Sequence, residues 1–273
     1  MKTPLALRID VPSGRHACTG IPVLTDILRR HRIEASFVVS MGPDWLGRSL
    51  VQACPHILRQ LGDEGFEVGV HGWKTREWTR RIEQADASWS EVQLKRMRDA
   101  FEQVFATPPK LHAAPGWRTN PHALRLTQRL NFSYASDCRG RHPFLPVWNG
   151  EIVRCPQIPT TLPTLEELAD SKRPDPAVLR DKLLALSASR PVVGHVFSLS
   201  LKPDIAKRAE LIESLLGGWI EQGYEIMSIG ALAGRLVTDK LPRHELVVSQ
   251  VPGRRDNVLL QGDEFLSAWR ETP

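Results

Sequence analysis

The chain has 273 residues, of which 41% are hydrophobic and 25% are charged, and this length suits one large α/β domain or two small ones. The formal net charge is +5, with 36 basic and 31 acidic residues spread along the sequence. No run of ~18 apolar residues is present, which excludes a membrane-spanning helix. No nucleic-acid-binding motif accompanies the basic residues, so we do not expect a nucleic-acid partner.

Short apolar runs alternate with segments of helical spacing along most of the chain. The runs lie at residues 5–11, 35–41, 66–70, 111–114, 132–136, 152–158, 191–198 and 224–229. The helical segments lie at residues 21–31, 50–62, 89–105, 121–130, 177–187 and 204–222. Strands that alternate with helices indicate βαβ units and a parallel sheet. The number of units predicts an α/β fold of the (β/α) barrel type.

Two stretches depart from this alternation. Residues 139–172 are rich in proline, which predicts a long loop system around one extended strand that forms a wall of the pocket. Residues 238–273 follow the last αβ unit and have mixed charge, with Pro242, Pro252 and Gly253. We expect a barrel over residues 1–237 and an appended C-terminal tail over residues 238–273, partly disordered or packed on the outside.

The sequence also predicts the cellular compartment and the kind of partner of the protein. Cys18, Cys54, Cys138 and Cys155 lie far apart without a CxxC pair, so we expect reduced or buried thiols rather than a disulfide frame. The first residues, MKTPLALR, do not form a signal peptide. We therefore expect a cytoplasmic protein, with peripheral contact at the inner face of the membrane as the alternative. Basic clusters at residues 29–32 and 76–81 are either solvated helix faces or contacts for an anionic partner, such as a phosphate-bearing substrate or a membrane surface.

Several side chains that can carry chemistry fall at or near predicted strand ends: Asp10, His71, Trp117, Asp137 and His195. In parallel α/β folds, functional residues gather at the carboxyl ends of the strands, so we expect these five to converge on one site. Structural alternatives stay open for each of them. Asp10 pairs with Arg8 or Arg118 in one alternative, and both histidines belong to the core in another.

A series of short motifs along the chain carries a family resemblance. These motifs are LRIDV at 7–11, ASF at 35–37, MGPD at 41–44, GVHGW at 69–73, GWR at 116–118, SDCRG at 136–140 and QIP at 157–159. Together they resemble the NodB-type polysaccharide deacetylase superfamily. Within it they are most similar to the ArnD branch of deformylases, which act on an undecaprenyl-phosphate-linked formamido-arabinose. The fold that this implies is a distorted (β/α) barrel of about seven strands.

The resemblance also implies roles for individual residues. In the superfamily, a divalent metal held by one Asp and two His polarises an amide carbonyl and binds the attacking water. Asp10 matches the general base, His195 the general acid, and His71 a metal ligand. The matching motifs also place Arg118 and Asp137 in the catalytic set. Trp73, Trp117 and Arg139 match positions that contact substrate, and aromatic rings suit the apolar faces of sugars.

The expected metal site is incomplete in this sequence. Pro12 stands where the branch has an Asp, and Thr75 stands where the second metal His is expected. Only His71 remains of three ligands, and a lone His is a poor anchor for zinc or a similar ion. A rebuilt site would need other donors such as Ser13, with His16 and Glu77 the best extra ones.

The resemblance to the family, together with the two substituted metal-ligand positions, leaves three possible functions. The first is an ArnD-like hydrolase that removes an acyl group from an amino sugar, with lipid- or nucleotide-linked sugars as substrates. The second is a pseudoenzyme that binds a sugar or scaffolds a glycan pathway. The third is a hydrolase of a non-carbohydrate amide on the same barrel. Retention of Asp10, Arg118, Asp137 and His195 favours hydrolysis, whereas loss of two metal ligands favours the pseudoenzyme.

Overall fold

The computed structural model describes residues 2–169 and 174–266, and it contains eleven strands and ten α-helices in that part of the chain. The strands are β1 Thr3–Val11, β2 Ser36–Val39, β3 Glu67–Val70, β4 Leu111–His112, β5 Tyr134–Ala135, β6 Leu145–Trp148, β7 Glu151–Ile152, β8 His195–Ser200, β9 Tyr224–Met227, β10 Arg243–Ser249 and β11 Val258–Glu264. The helices are α1 His16–His31, α2 Leu50–Ala53, α3 Pro55–Asp63, α4 Thr75–Arg81, α5 Ala87–Phe105, α6 Pro121–Arg129, α7 Leu165–Leu168, α8 Pro176–Leu186, α9 Ala209–Glu221 and α10 Ile229–Ala233. None of these helices is long and apolar enough to cross a bilayer.

The main sheet contains seven parallel strands in the order β5-β4-β3-β2-β1-β8, with β9 paired to the first half of β1. The predicted α/β fold with a distorted barrel of about seven strands is confirmed. One predicted strand, at residues 152–158, is wrong: only Glu151–Ile152 is a strand, and it belongs to another sheet.

Strand β1 shows how sequence periodicity divides this sheet into two faces. Leu5, Leu7 and Ile9 are almost completely buried in the larger hydrophobic cluster, while Ala6 belongs to a second cluster on the opposite face. Successive side chains of a strand point to opposite faces, so Arg8 and Asp10 share the face of Ala6. Parallel sheets are covered on both faces, which explains why β1 is buried over nearly its whole length.

A second, four-stranded sheet has the order β11-β10-β6-β7. Strands β10 and β11 form an antiparallel hairpin, and β10 pairs in parallel with β6. Leu246, Val258 and Leu259 of this hairpin are buried. Residues 238–266, expected to be part of a tail, thus include two paired strands, whereas residues 267–273 lie outside the described residues. The division at residue 237 stays a prediction.

The expectation that all four cysteines carry free thiols is wrong, because Cys18 and Cys54 form a disulfide. Helix α1, which contains Cys18, packs against α2 and α3, and Cys54 lies between those two helices. Helix packing therefore brings together two residues that are 36 positions apart in sequence. Local sequence patterns do not reveal a pairing over that separation. Cys138 and Cys155 are free and buried. The cysteine spacing no longer argues for a reducing compartment.

Candidate functional site

A cleft of about 880 Å³ opens where strands β1, β2 and β3 end. Its lining comes from the three segments that follow these strands: Pro12 and Ser13; Pro43, Asp44, Trp45 and Gly47; Lys74, Thr75, Arg76, Glu77, Arg80 and Arg81. The carboxyl ends of parallel strands are the usual position for ligand sites in such folds. Pro12 and Thr75, the two substituted metal positions, both line this cleft.

The structure brings Asp10 and His71, two predicted site residues, close together. The Nε2 atom of His71 lies 3.9 Å from Oδ2 of Asp10. Asp10 is also paired with Arg8, whose Nε donates to Oδ1 at 2.5 Å. Arg8 is fully buried and donates to the backbone carbonyl of Ser136 as well. The alternative in which Asp10 pairs with Arg8 is therefore confirmed.

The charges around Asp10 determine its protonation and that of His71. Burial is the largest single influence on Asp10 and raises its pKa, but the charges of Arg8 and His71 and the hydrogen bonds from Arg8 and Ser198 together outweigh burial, and the pKa lies below its ordinary value. Burial lowers the pKa of His71 to about 4, although Asp10 opposes that shift. Nδ1 of His71 donates to the carbonyl of Ala113 at 3.1 Å, so the neutral ring presents a lone pair on Nε2.

The residues around His71 do not fit a divalent metal. Among the described residues, no group of three or more His, Cys, Asp or Glu side chains is placed to hold an ion. Asp10 is already engaged by a buried guanidinium, whose charge opposes a cation at the same carboxylate. Glu77 is bridged by Lys74 at 3.8 Å and Arg81 at 3.4 Å. The hydroxyl of Thr75 is buried without a hydrogen-bond partner in the described structure, but a hydroxyl binds zinc weakly.

His195 lies at the opposite end of the sheet from Asp10, so the expected convergence of these two residues is wrong. It begins β8 and pairs with Leu5, while Asp10 pairs with Ser200, five residues further along β8. At ~3.3 Å per residue, this offset separates the two positions by about 16 Å. Nε2 of His195 donates to the carbonyl of Ser189 at 3.0 Å.

The physical reason lies in the chain just before β8. Gly194 has a φ of +79° and donates its N–H to the carbonyl of Pro191, so a turn occupies the first part of the predicted strand. The strand therefore starts at His195 instead of ending near it.

Asp137 is fully buried, and its hydrogen bonds are to other residues of the protein, so its catalytic role stays a prediction. Its Oδ1 accepts from Nδ1 of His112 and from the backbone N–H of Ala114, each at 2.7 Å. The backbone N–H of Asp137 donates to the side chain of Gln157. These bonds join the segments after β4 and β5, and Asp137 does not line the cleft.

Arg118, Trp117 and Arg139 lie outside the cleft lining as well. Arg118 forms a two-point ion pair with Glu83 at 2.7 and 2.8 Å rather than contacting Asp10. Trp117 is 4% exposed and packs against the guanidinium groups of three arginines, Arg8, Arg139 and Arg254. Arg139 pairs with buried Glu167 at 2.7 Å. The side chains of these three residues contact other residues of the protein in this structure, and their catalytic and substrate-binding roles stay predictions.

The aromatic residue in the cleft is Trp45, which the sequence interpretation missed. It is 76% exposed on a loop held by Asp44, whose carboxylate accepts from the N–H groups of Leu46 and Arg48. Trp73, expected to contact substrate, is half-buried and does not line the cleft. The Pro43-Asp44 pair before Trp45 is a turn signal in the sequence, and loops of this kind lie on the protein surface.

The sequence of this chain is similar to one protein family and to relatives with assigned names. Residues 12–135 match the family described as polysaccharide deacetylase. A relative from Shewanella sediminis is named "probable 4-deoxy-4-formamido-L-arabinose-phosphoundecaprenol deformylase ArnD". It is 26% identical to this chain, and the match covers 92% of each of the two sequences. A relative of the same name from Wigglesworthia glossinidia brevipalpis is 27% identical, over 56% of this chain and 66% of its own.

Solved structures share the fold. A structure from Mycobacterium smegmatis, described as a "putative polysaccharide deacetylase", has a TM-score of 0.68 at 17% identity, and the match covers 92% of this chain and 96% of its own. A CE4 family pseudoenzyme from Bacillus anthracis has a TM-score of 0.59 at 16% identity and covers 85% of this chain and 66% of its own.

Proposed function

We propose that this chain, which carries a polysaccharide deacetylase domain, binds an amino sugar in the cleft beside Trp45 and Arg76 without the metal-dependent hydrolysis of its amide. The observation that carries this proposal is the pairing of Asp10 with Arg8 beside two positions that lack metal ligands. Its carboxylate is held by the buried guanidinium of Arg8 at 2.5 Å, and the two neighbouring metal positions hold Pro12 and Thr75.

Amide hydrolysis needs an activated water and an acid that protonates the leaving amine. Asp10 is ionised and paired, which lowers its tendency to take a proton from water. His195, the expected acid, lies about 16 Å along the sheet. The strand end beside Asp10 holds Ser198 and Ser200 instead, and a hydroxyl with ordinary acidity is a weak general acid.

Binding requires neither an activated water nor a general acid, only groups that contact the sugar. The cleft supplies such groups. Trp45 offers an exposed ring for the apolar face of a sugar, and Ser13, Lys74 and Arg76 offer polar groups around it. The curated relatives are named for a substrate that carries a formamido sugar, which supports an N-acylated amino sugar as the ligand.

A second candidate is hydrolysis of the same amide at a rebuilt site, the activity for which the relatives are named. The observation in its favour is that the Nε2 lone pair of His71 and the carboxylate of Asp10 face each other at 3.9 Å. This candidate requires donors that approach His71 only after rearrangement, because Glu77 is held by Lys74 and Arg81.

The experiment measures binding and hydrolysis on the same protein. Calorimetry with N-formyl and N-acetyl amino sugars should give saturable binding, and release of formate or acetate should stay at the uncatalysed level with and without zinc, cobalt or manganese. Trp45→Ala should weaken binding about tenfold, from loss of one stacking contact. Leu46→Ala, its exposed neighbour outside the cleft, is the matched control and should bind normally.

Metal-stimulated acyl release that disappears in Asp10→Asn would establish the second candidate instead. A restored variant sharpens the distinction. Pro12→Asp with Thr75→His adds two donors near His71, and we expect cobalt binding detectable by absorption and calorimetry in this variant and not in the parent. Equal cobalt affinity in the parent and the restored variant would contradict our interpretation of Pro12 and Thr75.

A further inference from the structure

A disulfide fixes one end of the chain segment that carries Trp45. Cys18 lies in the first turn of α1, and Cys54 lies between α2 and α3, downstream of Trp45. Trp45 is 76% exposed and lines the cleft. The position of this ring, and with it one wall of the cleft, therefore depends on what holds the segment at both ends.

The upstream end of the segment is held by hydrogen bonds. The backbone N–H of Gly42 donates to the carbonyl of Trp73 at 2.7 Å, and the hydroxyl of Ser49 donates to the carbonyl of Met41 at 3.4 Å. A Cβ at Gly42 would lie 2.4 Å from the carbonyl oxygen of Trp73, so the two backbones are in close contact. The start of the segment is thereby fixed to the chain that follows β3.

The downstream end of the segment has weaker contacts of its own. Helix α2 is a single turn of four residues, in which Leu50 is buried, whereas Gln52 and Ala53 are exposed. A helix of this length does not persist without tertiary contacts. Helix α3 is different, because Leu58 and Leu61 anchor it in the core. The disulfide thus ties a weakly held α2 to α1, while α3 has buried contacts that do not depend on it.

The two sulfur atoms differ in their access to a reductant. Cys18 is partly buried, whereas Cys54 is only 2% exposed. An attacking thiolate therefore reaches Sγ of Cys18 and forms a new S–S bond there, while the electron pair of the broken bond leaves on Sγ of Cys54. This second thiolate forms at the N-terminal end of α3, where the helix dipole favours negative charge.

A second thiol group completes the exchange. It attacks the external sulfur of the mixed disulfide, and Cys18 leaves as a thiolate. The reductant departs as a disulfide, and the two protons that its thiols lose end on Cys18 and Cys54. A dithiol supplies both thiol groups from one molecule.

We infer that the Cys18–Cys54 disulfide is a thiol-exchange site that controls ligand binding in the cleft. In the oxidised protein, α2 is tied to α1, and Trp45 stays at the cleft. Reduction by a dithiol releases α2 and the Trp45 segment but leaves the barrel folded. The binding-competent arrangement of the cleft is then less populated, and the apparent affinity falls in proportion. This inference rests on the proposed function and adds a chemical control of its site.

The first test measures the reduction and its local effect on the intact chain. Dithiothreitol should convert the disulfide of the native protein into two thiols, which mass spectrometry counts after alkylation. Hydrogen exchange of residues 43–53 should then become about tenfold faster or more, while exchange in β1 and α5 stays unchanged. A disulfide that resists dithiothreitol without denaturant would overturn the inference. So would faster exchange throughout the chain, which would mean that the disulfide stabilises the whole fold.

A trapping experiment tests the order of attack. A brief incubation with reduced glutathione, stopped with acid, should leave glutathione on Cys18, where peptide mass spectrometry locates it. Glutathione found on Cys54 instead would overturn the assignment of Cys18 as the attacked residue.

The second test measures binding of N-acetylglucosamine by calorimetry in both redox states. The affinity should fall about tenfold on reduction and return after reoxidation with oxidised glutathione. Cys18→Ser with Cys54→Ser should bind like the reduced parent, with or without dithiothreitol. Cys138→Ala with Cys155→Ala removes the two buried free thiols and keeps the disulfide, so this matched control should respond as the parent does.

The remaining outcomes separate this inference from the proposed function. If the oxidised and reduced proteins bind the sugar equally well, the inference fails and the proposed function stands. If neither form binds an N-acylated amino sugar, the proposed function fails, and control of binding by the disulfide fails with it. Hydrogen exchange then still shows whether the disulfide holds the Trp45 segment in place.

Discussion

Arg8 and Asp10 form a buried ion pair on β1, which ends beside the cleft, and such pairs respond very differently to single and double substitution. Arg8 is completely buried, and Asp10 is 9% exposed. Arg8→Met should reduce the free energy of unfolding by about 3–5 kcal/mol, because it leaves a buried carboxylate without its partner. Urea denaturation followed by circular dichroism measures this loss.

Arg8→Met combined with Asp10→Leu removes both charges and supplies the control. The double variant should be clearly more stable than Arg8→Met alone, because replacing a whole buried pair by apolar groups is often close to neutral. Asp10→Leu alone completes the cycle. If the losses in Arg8→Met and in Asp10→Leu add up to the loss in the double variant, the pair is not coupled, and the interpretation of Asp10 as a carboxylate held by Arg8 is incorrect.

His71 makes stability depend on pH through its lowered pKa. The folded-state pKa is about 4, against an ordinary value of 6.5. Between these values the unfolded chain binds a proton that the folded chain does not, so stability falls as the pH decreases from 6.5 to 4. The full effect of His71 is about 3 kcal/mol, reached as the pH approaches 4.

The measurement is the free energy of unfolding in urea at several pH values for the parent and for His71→Gln, whose amide can still donate to the carbonyl of Ala113. Carboxyl groups titrate in the same range, so the difference between the two proteins isolates the histidine. The variant should show the shallower pH dependence. Parallel curves for the two proteins would mean that His71 does not stay neutral in the folded state.

At the scale of single elements, the hairpin of β10 and β11 is fixed to the rest of the chain by a close backbone contact. Gly253, in the turn of this hairpin, has a φ of +79°, and a Cβ at that position would lie 2.1 Å from the carbonyl oxygen of Glu167. Gly150, in the turn between β6 and β7, has a φ of +77° with open space around it.

Alanine at these two glycines separates conformational strain from contact. Both variants carry the cost of a left-handed alanine, about 1–2 kcal/mol. Gly253→Ala should lose about 1–3 kcal/mol more, because the backbone of Glu167 must move. Thermal denaturation of the two variants measures the difference. Equal losses would show that the hairpin turn does not rest on Glu167.

The elements that sequence patterns predicted well are those whose pattern is local. Strand β1 and helix α5 carry their own periodicity and burial, and both were expected close to their observed bounds. Strand β10 reads RHELVVS, with exposed Val247 and Val248, and its partner β6 lies far upstream. No local pattern encodes that pairing.

The site was predicted in the same uneven way. Asp10 and His71 lie at ends of strands that were placed correctly, and the structure brings them together. His195 was misplaced because the Pro191–Gly194 turn shifts the strand start by four residues from the expected position at 191. In a parallel sheet, a shift of that size moves a side chain from one end of the sheet to the other.

At the scale of the whole molecule, the two sheets share one charged and aromatic junction. Glu167 accepts from Arg139 at 2.7 Å and from Arg254 of the hairpin at 3.5 Å, and both guanidiniums pack on Trp117. The backbone of Arg139 also exchanges hydrogen bonds with Leu259 and Gln261 of β11. A chain so connected should unfold as one unit even though its strands form two sheets.

The prediction is a single unfolding transition, with the same midpoint by far-ultraviolet circular dichroism and by tryptophan fluorescence. The fluorescence reports on both sheets, since Trp148 lies on β6 and Trp219 is buried beside the main sheet. A chain that ends at residue 237 should lose this transition, because it leaves β6 without β10 and uncovers Trp117. A truncated chain that unfolds cooperatively at the parent midpoint would instead establish residues 1–237 as an independent domain.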